Sequence, residues 1–205
     1  GKGWVIGETL ITGIGQGYTQ TTPLQLCQMT AQLANGGFKI YPKIIVEKDG
    51  KTAEEIRFIM NENRKQLNKK DSGFKDTTEE LLGFLDKKKY ETLFKSSKNI
   101  NLVREAMFSS TNEIRGTSYK SRIEDPKYQF AGKTGTSQVK RITKAERELD
   151  LKTFEIPYNE RDHALYIAFG PYKNPRYALS IVVEHGGSGS SAAAPIAKKL
   201  FKLII

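Results

Sequence analysis

Apolar positions along the chain alternate between helical and strand spacing, and the switches mark its elements. Leu24, Cys27, Ala31 and Ala34 recur at helical spacing, with Leu26, Thr30 and Leu33 beside them. Thr22 and Pro23 open this helix, a hydroxyl at the N-cap followed by a residue that has no N–H to leave unpaired. Asn35-Gly36-Gly37 ends it. "FKIYPKIIVEKDGK" follows as extended chain into a turn. Acids in the first turn after Thr78 predict a second helix, and Ile100, Val103, Met107 and Phe108 predict a third over about 99–110. Residues 128–139 read as a strand. "HALYIAFGPYKNPRYALSIVVEHGG" reads as two apolar strands around a turn with two prolines, an antiparallel hairpin. "SSAAAPIAKKLFKLII" predicts a closing helix with Pro195 in its first turn and Ile196, Leu200 and Phe201 on one side. "KRITKAERELDLKTFEIPYNERD" is a long polar connection before the hairpin. The fold class is therefore α+β, an antiparallel sheet packed with helices.

Composition narrows the chemistry. No run of 18 apolar residues is present, so nothing in this sequence reads as a membrane span, and its first residues lack a signal-peptide pattern. A single cysteine, Cys27, excludes an internal disulfide framework and a thiolate zinc cluster; its place in an apolar helical pattern marks a small core residue. His163 and His185 show no paired ligand spacing, so no metal site and no cofactor are expected. His163 reads as the anchor of a strand start and His185 as a loop residue near a cleft mouth. The net charge of +10 allows a polyanionic partner, but acids and bases interleave as on an ordinary solvated surface. No nucleic-acid partner is expected, although a basic nucleic-acid or protein interaction module is the alternative functional class.

Two glycine signals fail. In "TGIGQGYTQTTPLQL" the third glycine of a dinucleotide fingerprint is replaced by Tyr18, and the first acid after Gly13 is Glu47, beyond a helix. A phosphate loop ending in Gly132-Lys133-Thr134 requires a glycine where Lys127 stands. The surviving reading of "FAGKTGTSQV" is a strand that forms a substrate wall. Lys133 supplies a fixed positive charge, and Thr134 and Thr136 supply hydroxyl donors for a carboxylate. Gly135 lets a ligand backbone approach and pair, and the amide after it can aim at a developing oxyanion. On a strand, Lys133 and Gly135 share one face, and Thr134 and Thr136 the other.

The match extends beyond these residues. "GIGQGYTQTTPLQL", "GTS" before the strand, "AGKTGTSQV", "RDHALYIAFGPYKNPRYALSIVVEHGGSG" and the closing helix occur in family order. In them the chain resembles the C-terminal part of the class B penicillin-binding protein 2 family, elongation-type peptidoglycan D,D-transpeptidases. The resemblance covers roughly the first 40 and the last 90 residues. It implies a penicillin-binding protein or serine β-lactamase-like transpeptidase fold, with residues 1–205 as the C-terminal portion of one domain and 43–98 as a variable, partly mobile insertion. It implies a serine acyl-transferase that cross-links peptidoglycan stem peptides, is acylated by β-lactams, and works at the periplasmic face of the bacterial inner membrane. Elongation-complex membrane proteins are its implied further partners. Three motifs build such a site: Ser-x-x-Lys, Ser-x-Asn or Ser-x-Asp, and Lys-Thr-Gly. The third carries over here. Lys133 takes part in the charge network, Thr134 and Thr136 hold the substrate carboxylate, Gly135 keeps the wall open, and the Thr136 N–H is half of the oxyanion hole. The Gln16 loop is expected near the cleft.

Ser72-Gly73-Phe74-Lys75 and Ser110-Thr111-Asn112 fit the first two motifs on paper. The first is polar, has glycine inside it and precedes its helix signal, so its lysine is hydrated and cannot serve as a base. "FSSTNEIRG" reads as a helix end unravelling into a turn. In the family both motifs lie upstream of the "GIGQGY" stretch. The nucleophile is therefore expected outside this sequence, as are the membrane anchor and pedestal domain. The chain alone is expected to be inactive and to expose apolar surface where the missing half of the domain packs.

Overall fold

The computed structural model describes residues 3–42, 92–93, 95–140, 148 and 151–205. The helix expected from Thr78, the Ser72–Lys75 match and most of the 43–98 segment lie outside the described residues. The helices are α1 (Ile6–Gly13), α2 (Pro23–Ala34), α3 (Ser97–Asn112) and α4 (Ala194–Ile204), and the strands are β1 (Ala131–Ser137), β2 (His163–Gly170) and β3 (Tyr177–Val183). The strands form one antiparallel sheet in the order β1-β2-β3, with Thr134 opposite Tyr166 and Tyr166 opposite Ile181. A cis Gly170–Pro171 bond lies in the turn between β2 and β3.

Strand alternation builds two cores from β2. Ala164, Tyr166 and Ala168 face one way and pack with Phe130, Ile123 and the α4 residues Ala194, Ala197 and Phe201. Phe169 faces the other way, with Ala131, Leu33 and Ala34 of α2 and Met107 of α3. The sheet is thus covered by α4 on one face and by α2 and α3 on the other. Met107 belongs to one core and Ile123 to the other, so the chain from Asn112 to Ile123 passes around the β1 edge.

Local chemistry sets the helix ends. Thr22 and Gln25 form a reciprocal capping box, the Gln25 N–H donating to Thr22 Oγ1 at 3.2 Å and the Thr22 N–H to Gln25 Oε1 at 2.8 Å. At the other end Asn35 Oδ1 accepts from the Gly37 and Phe38 amides. α3 is longer than the spacing predicts, running from Ser97 to Asn112, and β1 is shorter, from Ala131 to Ser137. α4 begins behind a π-helical turn, Gly189–Ala193, which backs onto the sheet where a Cβ on Gly189 would meet Leu165 O at 2.3 Å.

The predicted buried faces need correction. Leu24, Val103, Ile196 and Leu200 are exposed, whereas Thr30, Arg104, Thr111 and Ala197 are buried. The α4 stripe is Ala194, Ala197 and Phe201, because small residues let the helix lie close to Ala164 and Ala168. Arg104 can take a core position because its guanidinium lies over the rings of Phe169 and Tyr172, at 5.6 and 5.9 Å from their centroids. α1 buries none of its residues, and Ile6, Leu10 and Ile14 stand in solvent.

Tyr166 ties these parts together. Its ring crosses Gly132 on β1, and its phenol is within 3.0 Å of Thr111 Oγ1 and 2.9 Å of Ser118 Oγ. A Cβ on Gly132 would sit 2.3 Å from that phenol oxygen, whereas a Cβ on Gly135 would meet only Leu165 Cβ at 3.3 Å. Gly132→Ala is therefore expected to destabilise the full-length protein by about 3 kcal/mol through overpacking and lost hydrogen bonds, and Gly135→Ala by under about 1 kcal/mol. Denaturant unfolding checks both, and equal effects at the two positions would contradict the packing argument. Burial pushes the Tyr166 phenol pKa up, opposed by its bonds to Ser118 and Thr111. The folded state then holds this proton to higher pH than the unfolded chain. The contribution is intact below the ordinary phenol pKa of about 10 and is lost as pH rises through the folded value. Stability measured between pH 9 and 11 should fall more steeply in the wild-type protein than in Tyr166→Phe.

Candidate active site

β1 enters from the core and emerges into solvent. Ala131 and Gly132 are buried, Lys133 is exposed, Thr134 and Gly135 are half-buried, and Thr136 and Ser137 are exposed. Among the described residues β1 is an edge strand, paired with β2 alone. Its side-chain alternation puts Lys133 and Gly135 in register with Ile167 and Leu165, and Thr134 and Thr136 with Tyr166 and Ala164. The ammonium of Lys133 turns along the strand and donates to the Thr134 carbonyl at 2.7 Å, with Thr134 Oγ1 at 3.5 Å.

Gln16 reaches this edge from 120 residues away, its Nε2 donating to the Thr136 carbonyl at 3.4 Å. The loop that presents it is made by Gly15 and Gly17, with φ of 77° and 96°, a region in which a side chain is strained. The glycine string that fails as a nucleotide fingerprint thus serves to project one carboxamide. In an antiparallel strand the N–H and C=O of one residue point to the same side. The Thr136 amide therefore points with its carbonyl toward the Gln16 side, away from β2, and Thr134, two residues earlier, points the same way. Gln16, Lys133, Thr134, Gly135 and Thr136 consequently share one strand edge. That edge offers a cation, two hydroxyls and outward main-chain groups, with no side chain at Gly135.

The Ser110–Asn112 match has a different arrangement. Both residues lie in the last turn of α3, which remains helical through Asn112 rather than unravelling before it. Asn112 Nδ2 donates to the carbonyls of Phe108, at 3.0 Å, and Phe130, at 2.9 Å, so its carboxamide clamps the helix end to the residue before β1. Ser110 Oγ lies 3.2 Å from Thr117 Oγ1, and Thr117 Oγ1 lies 3.3 Å from Thr134 Oγ1. In the sequence Gly116-Thr117-Ser118 is only a triplet before the strand; its contact with β1 depends on a chain reversal that leaves no periodic signal.

His163 opens β2, opposite Ser137. Its Nδ1 accepts from the His185 amide at 3.0 Å, and His185 Nδ1 lies 3.0 Å from the Arg161 carbonyl, where it must be the donor. His185 holds a positive φ of 54°. Asp162 Oδ1 accepts from the Val139 amide at 3.2 Å, and the Asp162 carbonyl from the Gly187 amide at 2.8 Å. The pair thus belongs to a clasp that holds the exit of β1 against the β3–α4 turn. Burial pushes the Cys27 thiol pKa up, and its Sγ contacts the Ala178 carbonyl at 3.5 Å. Among the described residues no three His, Cys, Asp or Glu side chains converge as metal ligands would. Nor is any helix among them long and apolar enough to cross a membrane.

Comparison with known proteins gives this edge a context. A family model described as penicillin binding protein transpeptidase domain matches residues 1–202. The peptidoglycan D,D-transpeptidase MrdA of Salmonella typhimurium is 36% identical over 200 residues, 97% of this chain and 27% of that protein. The MrdA of Haemophilus influenzae is 29% identical over 197 residues, 96% of this chain and 26% of that protein. The chain therefore spans about a quarter of the length of these curated relatives. Among solved structures, Pseudomonas aeruginosa PBP2 in complex with WCK 5153 aligns with a TM-score of 0.64 at 32% identity, over 99% of this chain and 34% of that one. Helicobacter pylori PBP2, in its complex with MreC, aligns with a TM-score of 0.65 at 27% identity, over 99% of this chain and 28% of that one. With the helix-covered antiparallel sheet and a match along nearly its whole length, the chain belongs to the penicillin-binding protein transpeptidase domain family.

Proposed function

We propose that this chain is the C-terminal portion of a serine-type peptidoglycan D,D-transpeptidase that cross-links stem peptides during cell-wall elongation, at the periplasmic face of the bacterial inner membrane. The observation that carries the reading is the β1 edge. Lys133, Thr134 and Thr136 stand together there, Gly135 leaves the strand approachable, and Gln16 closes the far end. The similarity to peptidoglycan D,D-transpeptidases over 97% of the chain supports the reaction class. It leaves the interaction-module alternative without support.

In this reading a serine from the rest of the full-length protein attacks the penultimate D-alanine carbonyl of a stem peptide. The terminal D-alanine leaves, and the acyl group passes to an amine of a neighbouring peptide. The anionic end of the donor peptide lies along β1, where Thr134 and Thr136 donate hydroxyl protons to its carboxylate and Lys133 supplies the opposite charge. The Thr136 N–H, directed off the sheet edge, donates to the oxygen that becomes negative as the carbonyl is attacked. A donor already held in place there needs no reorganisation as charge develops, which is why a strand serves better than a mobile loop. β-Lactams acylate the same serine and use the same edge. The nucleophile and its lysine, the anchor and any elongation-complex partners belong to the remainder of the protein, so the chain alone is inactive.

Covalent labelling with a fluorescent penicillin tests this. In the full-length protein Lys133→Ala should slow labelling by on the order of a hundredfold, the scale of losing one preorganised electrostatic group. Labelling at the wild-type rate would remove Lys133 from the site. The isolated 205-residue chain should take no label, and a covalent adduct on Ser72 would place the nucleophile inside it.

A further inference from the structure

The contact between Thr117 and Thr134 is held by more than proximity. Thr117 lies between two residues that grip the carbonyl of Ser110. Ser118 donates to it from its amide, at 3.1 Å, and from its hydroxyl, at 3.0 Å. Gly116 lies so close above it that a Cβ there would stand 2.3 Å from that oxygen. The chain after α3 is thereby folded back over the helix end, which fixes the backbone of Thr117 beside Ser110 while its side chain stays exposed. The Ser118 hydroxyl belongs also to the buried Thr111–Tyr166 cluster, which fixes this reversal relative to the sheet. The result is a row of oxygens: Ser110 Oγ, Thr117 Oγ1 at 3.2 Å, and Thr134 Oγ1 at a further 3.3 Å.

We infer that Ser110 and Thr117 are positioning residues that set the direction of the Thr134 hydroxyl proton, so that it points at the substrate carboxylate. The inference rests on the proposed role of Thr134 as a carboxylate donor. Each hydroxyl has one proton and two lone pairs. When Thr134 gives its proton to a carboxylate, its oxygen can only accept from its other neighbours. Thr117 then donates to Thr134, and Thr117 in turn accepts from Ser110. The row is then aligned toward the ligand, each hydroxyl donating to the next. Lys133 contributes from the other side, since an ammonium only donates. The separations, 3.2 and 3.3 Å, exceed the usual ~2.8 Å for hydroxyl pairs. Ser110, whose match to the Ser-x-Asn motif is rejected, thus acts two hydroxyls away from the ligand rather than on it.

The test measures β-lactam acylation of the full-length protein, separated into the binding constant and the acylation rate constant. Thr117→Val keeps the shape and removes the proton. It should weaken binding roughly tenfold with a smaller change in rate, as expected for loss of one hydrogen bond. Thr117→Ser restores the hydroxyl and should stay within about twofold of wild type. Ser110→Ala should weaken binding about threefold, acting through its neighbour, and should add nothing in the Thr117→Val background. Thr117→Val at wild-type affinity, or a Ser110→Ala effect that persists undiminished in that background, overturns the relay. Thr134→Val separates the two levels of the argument. If it binds β-lactam as well as wild type, the carboxylate reading itself is wrong; if it is impaired while Thr117→Val is not, only the relay fails.

Discussion

The hydrogen-bonded phenol of Tyr166 is the constraint on which the rest of this structure depends. It lies in the middle strand, fully buried, and its ring passes over β1 to reach hydroxyls on and just after α3. A buried hydroxyl left without partners is costly, so the three groups hold one another in register. That contact joins three separately specified pieces: a strand pair, a helix end and a chain reversal. Gly132 must lack a side chain for the ring to pass, and Thr111 must face inward for the phenol to be satisfied. The position of Thr117 beside Thr134 follows, because its neighbour Ser118 is one of the three.

The two glycines flanking the Lys-Thr pair therefore answer to different demands. Gly132 is required by the interior: a methyl group there would enter the Tyr166 ring. Gly135 has only a marginal conflict with Leu165, so packing alone does not account for it. An added backbone or ligand lying along the strand would account for it, since a side chain at that point stands in its way. Two glycines three residues apart in one short motif thus differ: one is required by packing and the other is not.

Much of this was legible in the sequence, for identifiable reasons. Thr22-Pro23 and Asn35-Gly36-Gly37 act locally, so the limits of α2 could be read directly. The hairpin could be read because two apolar runs flank a proline-bearing turn. The phase of the helix faces was less legible. Arg104 occupies a core position only because Phe169 and Tyr172 supply ring faces for it, and these lie in a different part of the chain. Ala194 and Ala197 displace larger apolar residues from the α4 interface because close approach matters there more than hydrophobicity. At the site, Lys133 to Thr136 stood out by residue type and by resemblance, and Gln16 by resemblance alone. Thr117 did not, because its place depends on Gly116 fitting over a carbonyl, a three-dimensional fact without a spacing rule.

The contact between Gln16 and Thr136 has a consequence for the order of assembly. It closes a loop of 120 residues, whereas β2 and β3 join across a short turn. Long closures lose more chain entropy before any contact repays it, so they form after local ones. The β2–β3 hairpin and α4 can consolidate first, whereas α2 docks on β3 across a still longer separation, Cys27 to Ala178, and brings the glycine-flanked carboxamide toward the edge with it. A chain with an intact hairpin is thus not yet a chain with a finished candidate site: the far end of the β1 edge is completed by the segment that leads into α2, so it matures together with the docking of that helix.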